Sequence, residues 1–206
     1  LLLYGPEPLL VEEALTRLTV AVLREPGALD WNREVLHADT ATPEAIVAAG
    51  LSLPLFGGQR LVLVRGLGEA AARVVERLRA ALEGARARSG GWPVEGTLVV
   101  FVAGGADRRA PALRLLPEAE QVEIRAPVGR ALVAWLQERA RAAELTLPPR
   151  AAQTLIELVG EDLSRLAGEL EKAAVYAGED KQLSEEIVRA LAGETRVRQF
   201  WELTQA

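Results

Sequence analysis

The segment Gly50–Arg65, with the sequence GLSLPLFGGQRLVLVR, decides how the first part of the chain folds. A helix-like stretch ends at its first residue, and a continuous apolar strand begins near Leu61. The link between them carries an apolar cluster and then a glycine turn, namely Leu53, Pro54, Leu55, Phe56, Gly57 and Gly58. Connections normally run over the surface, because a buried loop leaves backbone polar groups without hydrogen bonds. The cluster therefore either packs back onto its own domain or presents an apolar wedge to a partner.

Short apolar runs alternate with amphipathic stretches throughout residues 1–125, which is the pattern of an α/β domain. The predicted strands are Leu1–Tyr4, Glu34–Ala38, Arg60–Arg65, Thr97–Ala103 and Gln121–Ile124. The predicted helices are Glu7–Arg24, Pro43–Ala49, Glu69–Ala85 and Ala110–Leu116, and residues 84–96 are predicted to form a loop. Strands separated by helices imply a mostly parallel sheet with right-handed crossovers.

After Arg125 the pattern changes to helices alone, with apolar residues at three- and four-residue spacing. The predicted helices are Val128–Ala143, Pro148–Leu158, Asp162–Ala177 and Ser184–Ala192. Residues 126–195 are therefore predicted to form a small all-helical domain. The last segment, Gln199–Ala206, contains Phe200 and Trp201 and is predicted to form the first turns of a further helix. We expect the sequence to be a fragment of a longer chain that continues into a third domain.

The composition argues against several classes of function. The net charge of −5 disfavours a broad nucleic-acid-binding face, although it allows a local basic patch. The chain has no cysteine, so it has no disulfide, no thiol nucleophile and no cysteine-ligated zinc. Its single histidine, His37, lies in a predicted strand, where a structural role is expected. We therefore expect no metal, no cofactor and no Ser-His-Asp triad.

The sequence contains no signal for a membrane. No apolar run reaches the roughly 18 residues that span a bilayer. The N-terminal residues LLLYG are too few for the apolar part of a signal peptide and lack a basic region before them. The predicted location is the cytoplasm, without membrane contact.

The N-terminus has the layout of a phosphate-binding loop but lacks the residues which that chemistry needs. A predicted strand leads into Gly5 and then into a helix, as in the motif G-x-x-x-x-G-K-[ST]. The second glycine, the lysine and the Ser/Thr of that motif would fall on Leu10, Val11 and Glu12. Glu12 and the adjacent Glu13 would repel a triphosphate. Nucleotide hydrolysis is therefore not expected.

Four segments, taken in order along nearly the whole chain, resemble the delta subunit of the bacterial DNA polymerase III clamp loader. They are LLLYGPEPLLVEEAL (1–15), LSLPLFGGQRLVLVRG (51–66), GADRRAPALRLL (105–116) and VGEDLSRLAGELEKAAVYAG (159–178). The resemblance implies an AAA+-like α/β domain over residues 1–125 and a helical lid domain over residues 126–195. It also implies that residues 196–206 begin a C-terminal collar domain. The missing phosphate loop agrees with it, because delta does not use ATP.

The resemblance also implies a mechanical role in DNA replication. Delta binds the ring-shaped sliding clamp (the beta subunit) and opens one of its interfaces. It acts with the other clamp-loader subunits, which it meets through the collar, on primed DNA. Its contact element is the apolar loop, which inserts into a hydrophobic pocket on the clamp.

Carried over by position, the clamp-binding residues are Leu53, Pro54, Leu55 and Phe56, and Gly57 and Gly58 make the turn. Pro54 restricts the backbone beside the wedge, which reduces the cost of ordering the loop on binding. No intrinsic catalysis is expected, and any enzyme activity would be that of the DNA polymerase III holoenzyme, of which the resemblance implies that the chain is a part.

Other functions stay open on the sequence alone. An ATPase of the same fold class would need the missing lysine and Ser/Thr. A DNA-contacting subunit of the replication machinery would use the arginines of the first domain, which are Arg86, Arg88, Arg108, Arg109 and Arg114. A structural scaffold would bind the other loader subunits but not the clamp.

The absence of cysteine separates this chain from the other clamp-loader subunits that it resembles. The loader ATPases and the delta-prime subunit carry a four-cysteine zinc module and a Ser-Arg-Cys segment that supplies an arginine finger. The finger role is not carried over to Arg108 or Arg109, although both lie near that region. Arg165 lies near a nucleotide-sensing arginine of related ATPases, and it too is given no function beyond that of a solvated charge on a helix.

Overall fold

A computed structural model describes residues 1–24, 31–55, 57–89, 91–177 and 181–190. The chain divides into two compact units, Leu1–Ala126 and Pro127–Ala206. The first unit contains a five-stranded sheet with helices, and the described part of the second is helical apart from one isolated β-bridge.

The strands of the first unit are β1 (Leu2–Gly5), β2 (Arg33–His37), β3 (Arg60–Arg65), β4 (Thr97–Gly104) and β5 (Gln121–Glu123). They form one sheet in the order β2-β3-β4-β1-β5, and every neighbouring pair is parallel. Each strand begins and ends within one residue of its predicted bounds. The predicted α/β fold with a parallel sheet is confirmed.

Helices cover both faces of this sheet. They are α1 (Pro8–Val22), α2 (Pro43–Leu51) and α3 (Ala72–Ser89), and two 3-10 turns follow at Pro111–Arg114 and Glu118–Glu120. Residues of α1 share one buried cluster with the sheet. Residues of α2, α3 and the first 3-10 turn share a second cluster with the sheet.

Strand β3 shows why both helical layers are needed. Leu61 and Leu63 belong to the cluster with α1, whereas Val62 and Val64 belong to the cluster with α2 and α3. All four side chains are buried. Successive side chains of a strand point to opposite faces, so a strand that is apolar throughout is stable only between two covering layers.

The second unit contains α4 (Arg130–Ala142), α5 (Pro149–Val159) and α6 (Leu163–Tyr176), and residues 185–190 are helical as well. Helix α6 begins with a capping interaction in which the Asp162 carboxylate accepts a hydrogen bond from the backbone N–H of Arg165, at 2.8 Å. The inward faces are lined by leucine and alanine, which suits a chain with few aromatic residues.

Two predicted segments differ from the structure. The helix predicted over Glu69–Ala85 continues as α3 to Ser89, into residues 86–89 that the prediction assigns only to the loop, and buried Ala85 extends the apolar face set by Leu78 and Leu82. The predicted helix Ala110–Leu116 is only a short 3-10 turn, because Pro117 disfavours helical backbone in the residue before it.

The end of the chain was predicted to contain a helix up to Ala192 and the beginning of another with Phe200 and Trp201. Residues 191–206 lie outside the described part of the chain. Within the ranges that the structure describes, no helix combines the length and the apolar character needed to cross a bilayer.

Replacing Gly50 by alanine tests the packing at the C-terminal end of α2. A Cβ atom there would lie 2.5 Å from ring atoms of Trp92, a buried residue whose Nε1 donates to the Val47 carbonyl oxygen at 3.0 Å. Gly50→Ala is expected to lower the free energy of unfolding of the first unit by about 1–3 kcal/mol, because neither the ring nor the helix can move freely. Urea denaturation measures this change.

The matched control is Gly84→Ala in α3. Its Cβ would meet only the end of the flexible Arg88 side chain, with Nη1 at 3.1 Å. This variant is expected to be unchanged or more stable by up to about 1 kcal/mol, because alanine has the higher helix propensity. Equal destabilisation by both variants would contradict the packing argument.

Candidate protein-binding site

The apolar loop, residues 52–59, connects α2 to the start of β3. It lies at the edge of the sheet where β2, β3 and β4 begin, because in a parallel sheet all strands begin at the same edge. The opposite edge, where the strands end, holds Gly5 and the segment that resembles a phosphate-binding loop.

The described leucines of the apolar loop are exposed. Leu53 leaves 67% of its surface in solvent, and Leu55 leaves 51%. Leu51, at the end of α2, is exposed as well, and Pro54 is half-buried. Neither leucine of the loop is therefore packed into the core of the first unit. Phe56 lies outside the described residues.

The glycine turn that follows the cluster needs glycine for its backbone conformation. Gly57 has a φ of +85° and Gly58 a φ of +75°, in the left-handed region that residues with a Cβ rarely adopt. This conformation returns the chain into β3. The predicted turn residues thus occupy positions where the backbone requires them.

Hydrogen bonds from Val94 and from Thr97, the first residue of β4, hold the end of α2 and the start of the apolar loop. The Thr97 hydroxyl donates to the Ser52 carbonyl oxygen at 2.7 Å, and the Val94 N–H donates to the Gly50 carbonyl oxygen at 3.0 Å. Pro54 lies close to the backbone at Gly96 and would be 3.5 Å from a Cβ placed there. The loop therefore leaves α2 along a defined path.

Asn32, a buried residue just before β2, holds the second half. Its Oδ1 accepts a hydrogen bond from the Leu55 N–H at 2.7 Å, and its Nδ2 donates to the Gly57 carbonyl oxygen at 3.2 Å. The sequence analysis did not identify Asn32 as part of the site. An asparagine before a strand is typical of turns, so the sequence carried no signal that this side chain reaches a loop more than twenty positions away.

At the opposite edge of the sheet, the residues at the positions of the phosphate-binding motif have other contacts. Val11 is fully buried beneath the sheet and Glu12 forms an ion pair with Arg65. Gly5 has a packing role, because a Cβ on it would lie 2.2 Å from the Ile124 carbonyl oxygen. Its place at the end of β1 is therefore explained without a phosphate.

Two of the arginines considered for DNA binding or an arginine finger form ion pairs within the first unit. Arg86 pairs with Glu120 at 2.8 Å, and Arg108 pairs with Glu123 at 2.7 Å. Arg165 is exposed near the start of α6, in the second unit. His37 ends β2 with an exposed side chain. Among the described residues, no group of three or more His, Asp or Glu side chains is arranged to hold a metal ion.

A polar cleft of about 590 Å³ lies at the edge where β1 and β5 end, and Arg108, Glu123 and Arg125 contribute to its walls. Arg108 and Arg125 both donate to the Glu123 carboxylate, at 2.7 and 2.9 Å. Hydrogen bonds from these two guanidinium groups lower the pKa of Glu123 to about 2. The single negative charge of Glu123 therefore compensates part of the positive charge of Arg108 and Arg125.

Comparison with solved structures identifies the architecture of the chain. The structure is similar to the DNA clamp loader delta protein of Bacillus subtilis, with a TM-score of 0.59 and 23% identity, over 92% of this chain and 57% of that one. It is also similar to the Thermotoga maritima Holliday junction branch migration motor RuvB, with a TM-score of 0.59 and 14% identity. Domain III of the Thermotoga maritima replication initiation protein DnaA matches with a TM-score of 0.58 and 12% identity, over 94% of this chain and 83% of that one.

The fold is AAA+-like. At these identities the similarity describes the fold, and the chain spans 57% of the clamp loader delta protein and 60% of the branch migration motor. No protein-family model and no curated protein sequence matches the chain.

The ion pairs of Glu123 predict an unusual titration. In the folded protein this carboxylate stays ionised until about pH 2, whereas its ordinary pKa is 4.5. Its contribution to stability is therefore present above pH 4.5 and is lost as the pH falls from there toward 2. In Arg108→Ala and in Arg125→Ala the pKa of Glu123 should move up toward 4.5, as followed by NMR of the side-chain carboxyl carbon.

Arg109→Ala provides the control for this titration. Its backbone N–H is bonded to Asp107, and its side chain does not reach Glu123 among the ion pairs of the described residues. This variant should leave the titration of Glu123 unchanged. A carboxyl that already titrates near 4.5 in the unaltered protein would contradict the proposed geometry.

Proposed function

We propose that this chain belongs to a clamp-loader subunit of the delta type, which binds the DNA sliding clamp through the apolar loop and opens its ring. The observation that carries the proposal is the exposure of Leu53 and Leu55 on a loop whose backbone is hydrogen-bonded on both sides. The AAA+-like fold and the order of the four delta-like segments support it. Phe56 enters the proposal by its position in the sequence, next to Leu55.

Ring opening requires a subunit that binds the opened clamp more tightly than the closed one, because binding shifts an equilibrium only through a difference in affinity. A few apolar side chains that become buried on binding supply enough free energy for much of this difference in affinity. Truncating a hot-spot side chain typically costs about 2–4 kcal/mol of binding free energy. Leu55 and Phe56 are the proposed anchors, and Leu53 and Pro54 border them.

The proposed role is mechanical and involves no reaction within this chain. Val11 and Glu12 occupy the positions of the phosphate-binding lysine and Ser/Thr, so ATP hydrolysis is left to other subunits of the loader. The proposed contact lies at the edge where the strands begin, and the degenerate phosphate loop lies at the opposite edge. Clamp binding therefore does not depend on the region that holds a nucleotide in related ATPases.

The domain assignment is part of the proposal. Residues 1–125 form the AAA+-like domain, residues 126–195 the helical lid, and residues 196–206 the start of the collar. The collar would connect the subunit to the rest of the loader, and primed DNA would be met within the full complex.

A DNA-contacting role has weaker support than clamp binding. Arg86 and Arg108 are engaged by glutamates, which reduces the positive potential that they offer to a phosphate backbone. A scaffold that does not contact the clamp also has weaker support, because it would leave the exposed side chains of Leu53 and Leu55 without a partner.

Calorimetric titration against the sliding clamp of the same organism tests the proposed function. The unaltered chain should bind saturably, and Leu55→Ala or Phe56→Ala should weaken binding at least about tenfold, since each removes a buried anchor. Both variants should unfold cooperatively at the same midpoint as the unaltered chain. The double variant Leu55→Asp/Phe56→Asp should abolish binding while remaining folded.

Val20→Ala is the matched control, because Val20 is a comparably exposed apolar residue (65%) on α1, outside the apolar loop. It should bind the clamp like the unaltered chain. If the folded, unaltered chain fails to bind, the clamp-binding function is wrong and the scaffold becomes the better hypothesis. If the loop variants lose cooperative unfolding, the side chains of the loop pack into the core of their own domain and do not form a wedge.

A further inference from the structure

We infer that Asn32 is a positioning residue, whose side chain holds the apolar loop in the conformation that binds its partner. The identity of that partner, the sliding clamp, rests on the function proposed above. The geometry of Asn32 does not depend on it. The inference concerns a buried residue that lies outside the loop.

The Asn32 side chain spans the tip of the loop. Its Oδ1 accepts from the Leu55 N–H at 2.7 Å and its Nδ2 donates to the Gly57 carbonyl oxygen at 3.2 Å. These two backbone groups flank position 56, so one side chain fixes the backbone on both sides of the proposed anchor. Only 4% of Asn32 is exposed, so water competes little for these hydrogen bonds.

The amide is suited to this task because it carries one acceptor and one donor group in a plane. The loop presents the complementary pair, an N–H from Leu55 and a carbonyl from Gly57. A leucine of similar size would leave both backbone groups without this partner, and a carboxylate would place a negative oxygen against the Gly57 carbonyl. Burying a polar side chain is unfavourable unless its hydrogen bonds are made, and here the loop makes them.

The main chain of Asn32 has a separate role, which the side chain does not share. Its carbonyl oxygen accepts from the Leu61 N–H at 2.8 Å, in line with the pairing of β2 and β3. Substitution of the side chain leaves this backbone hydrogen bond available. The side-chain contacts with the loop can therefore be removed without removing the pairing that builds the sheet.

A loop that is already ordered binds more tightly than one that must be ordered during association. The Thr97 hydroxyl fixes the first half of the loop at Ser52, and Asn32 fixes the second half at Leu55 and Gly57. Leu53 and Leu55 are thereby held in solvent on a backbone that does not have to rearrange. The expected consequence is that loss of the Asn32 amide weakens binding even though Leu53, Leu55 and Phe56 are all still present.

The test uses Asn32→Asp, with Asn32→Ala for comparison, and measures affinity for the sliding clamp at several pH values. Burial raises the pKa of the introduced carboxyl, and its protonated form again has a donor for the Gly57 carbonyl. Asn32→Asp should bind about tenfold more weakly than the unaltered chain near pH 8 and recover most of that loss near pH 5. The loop partners of Asn32 are backbone groups that do not titrate, so the affinity of Asn32→Ala relative to the unaltered chain should not change with pH.

A second measurement reports how well the backbone of the loop is ordered in the absence of any partner. In amide hydrogen exchange followed by NMR, the Leu55 amide should be protected in the unaltered chain, although the residue is half exposed. Protection should be lost in Asn32→Ala. The Leu61 amide, which is bonded to the Asn32 main chain, should stay protected in every variant and reports that the sheet is intact.

The outcomes separate this inference from the proposed function. A pH-dependent rescue of Asn32→Asp, with loss of Leu55 protection in Asn32→Ala, supports the inference. An unprotected Leu55 amide in the unaltered chain overturns it, as does unchanged clamp affinity in Asn32→Ala. If the unaltered chain does not bind the clamp, the proposed function fails, and the dependence of Leu55 protection on Asn32 still decides whether this residue holds the loop.

Discussion

The pairing of β3 with β2 on one side and β4 on the other is the constraint on which the rest of the first unit depends. Because all three strands are parallel, the chain must return from the end of α2 to the edge where β3 begins. The apolar loop makes this return, and its neighbours are the residues at or just before the beginnings of β2 and β4. Those residues include Asn32 and Thr97, which bind it. The site is therefore a product of the sheet topology.

Exposed leucines on a fixed loop are costly to a protein that acts alone. Their side chains contribute no free energy of burial to folding, and the ordered backbone that carries them has lost conformational entropy. Most apolar side chains of the sheet are completely buried, so the exposure of Leu53 and Leu55 contrasts with their surroundings. This contrast is the physical reason for proposing that they lie in an interface. The hydrogen bonds that hold the loop are made to its backbone by residues near the beginnings of β2 and β4. They leave the side chains of Leu53 and Leu55 exposed.

The two edges of the sheet have different chemistry. At the edge where the strands end, the Glu12–Arg65 ion pair and the pairs of Arg108 and Arg125 with Glu123 form a polar surface whose charges are partly compensated within the unit. At the edge where strands begin, the loop offers apolar surface. The candidate protein contact and the segment that resembles a phosphate-binding loop therefore lie at opposite edges of the sheet.

The sequence by itself determined the parallel α/β architecture, the change to helices after Arg125 and the apolar character of the loop, because periodicity and turn residues are local signals. The apolar cluster with Leu53 and Leu55 before a glycine pair is readable from neighbouring positions in the same way, and its role as a binding site stays a prediction. Only the tertiary structure decided that the leucines stay exposed and that Asn32 holds the loop. Burial depends on which elements cover a residue. The hydrogen bonds of Asn32 join residues 23 and 25 positions apart, a distance at which no local pattern carries information.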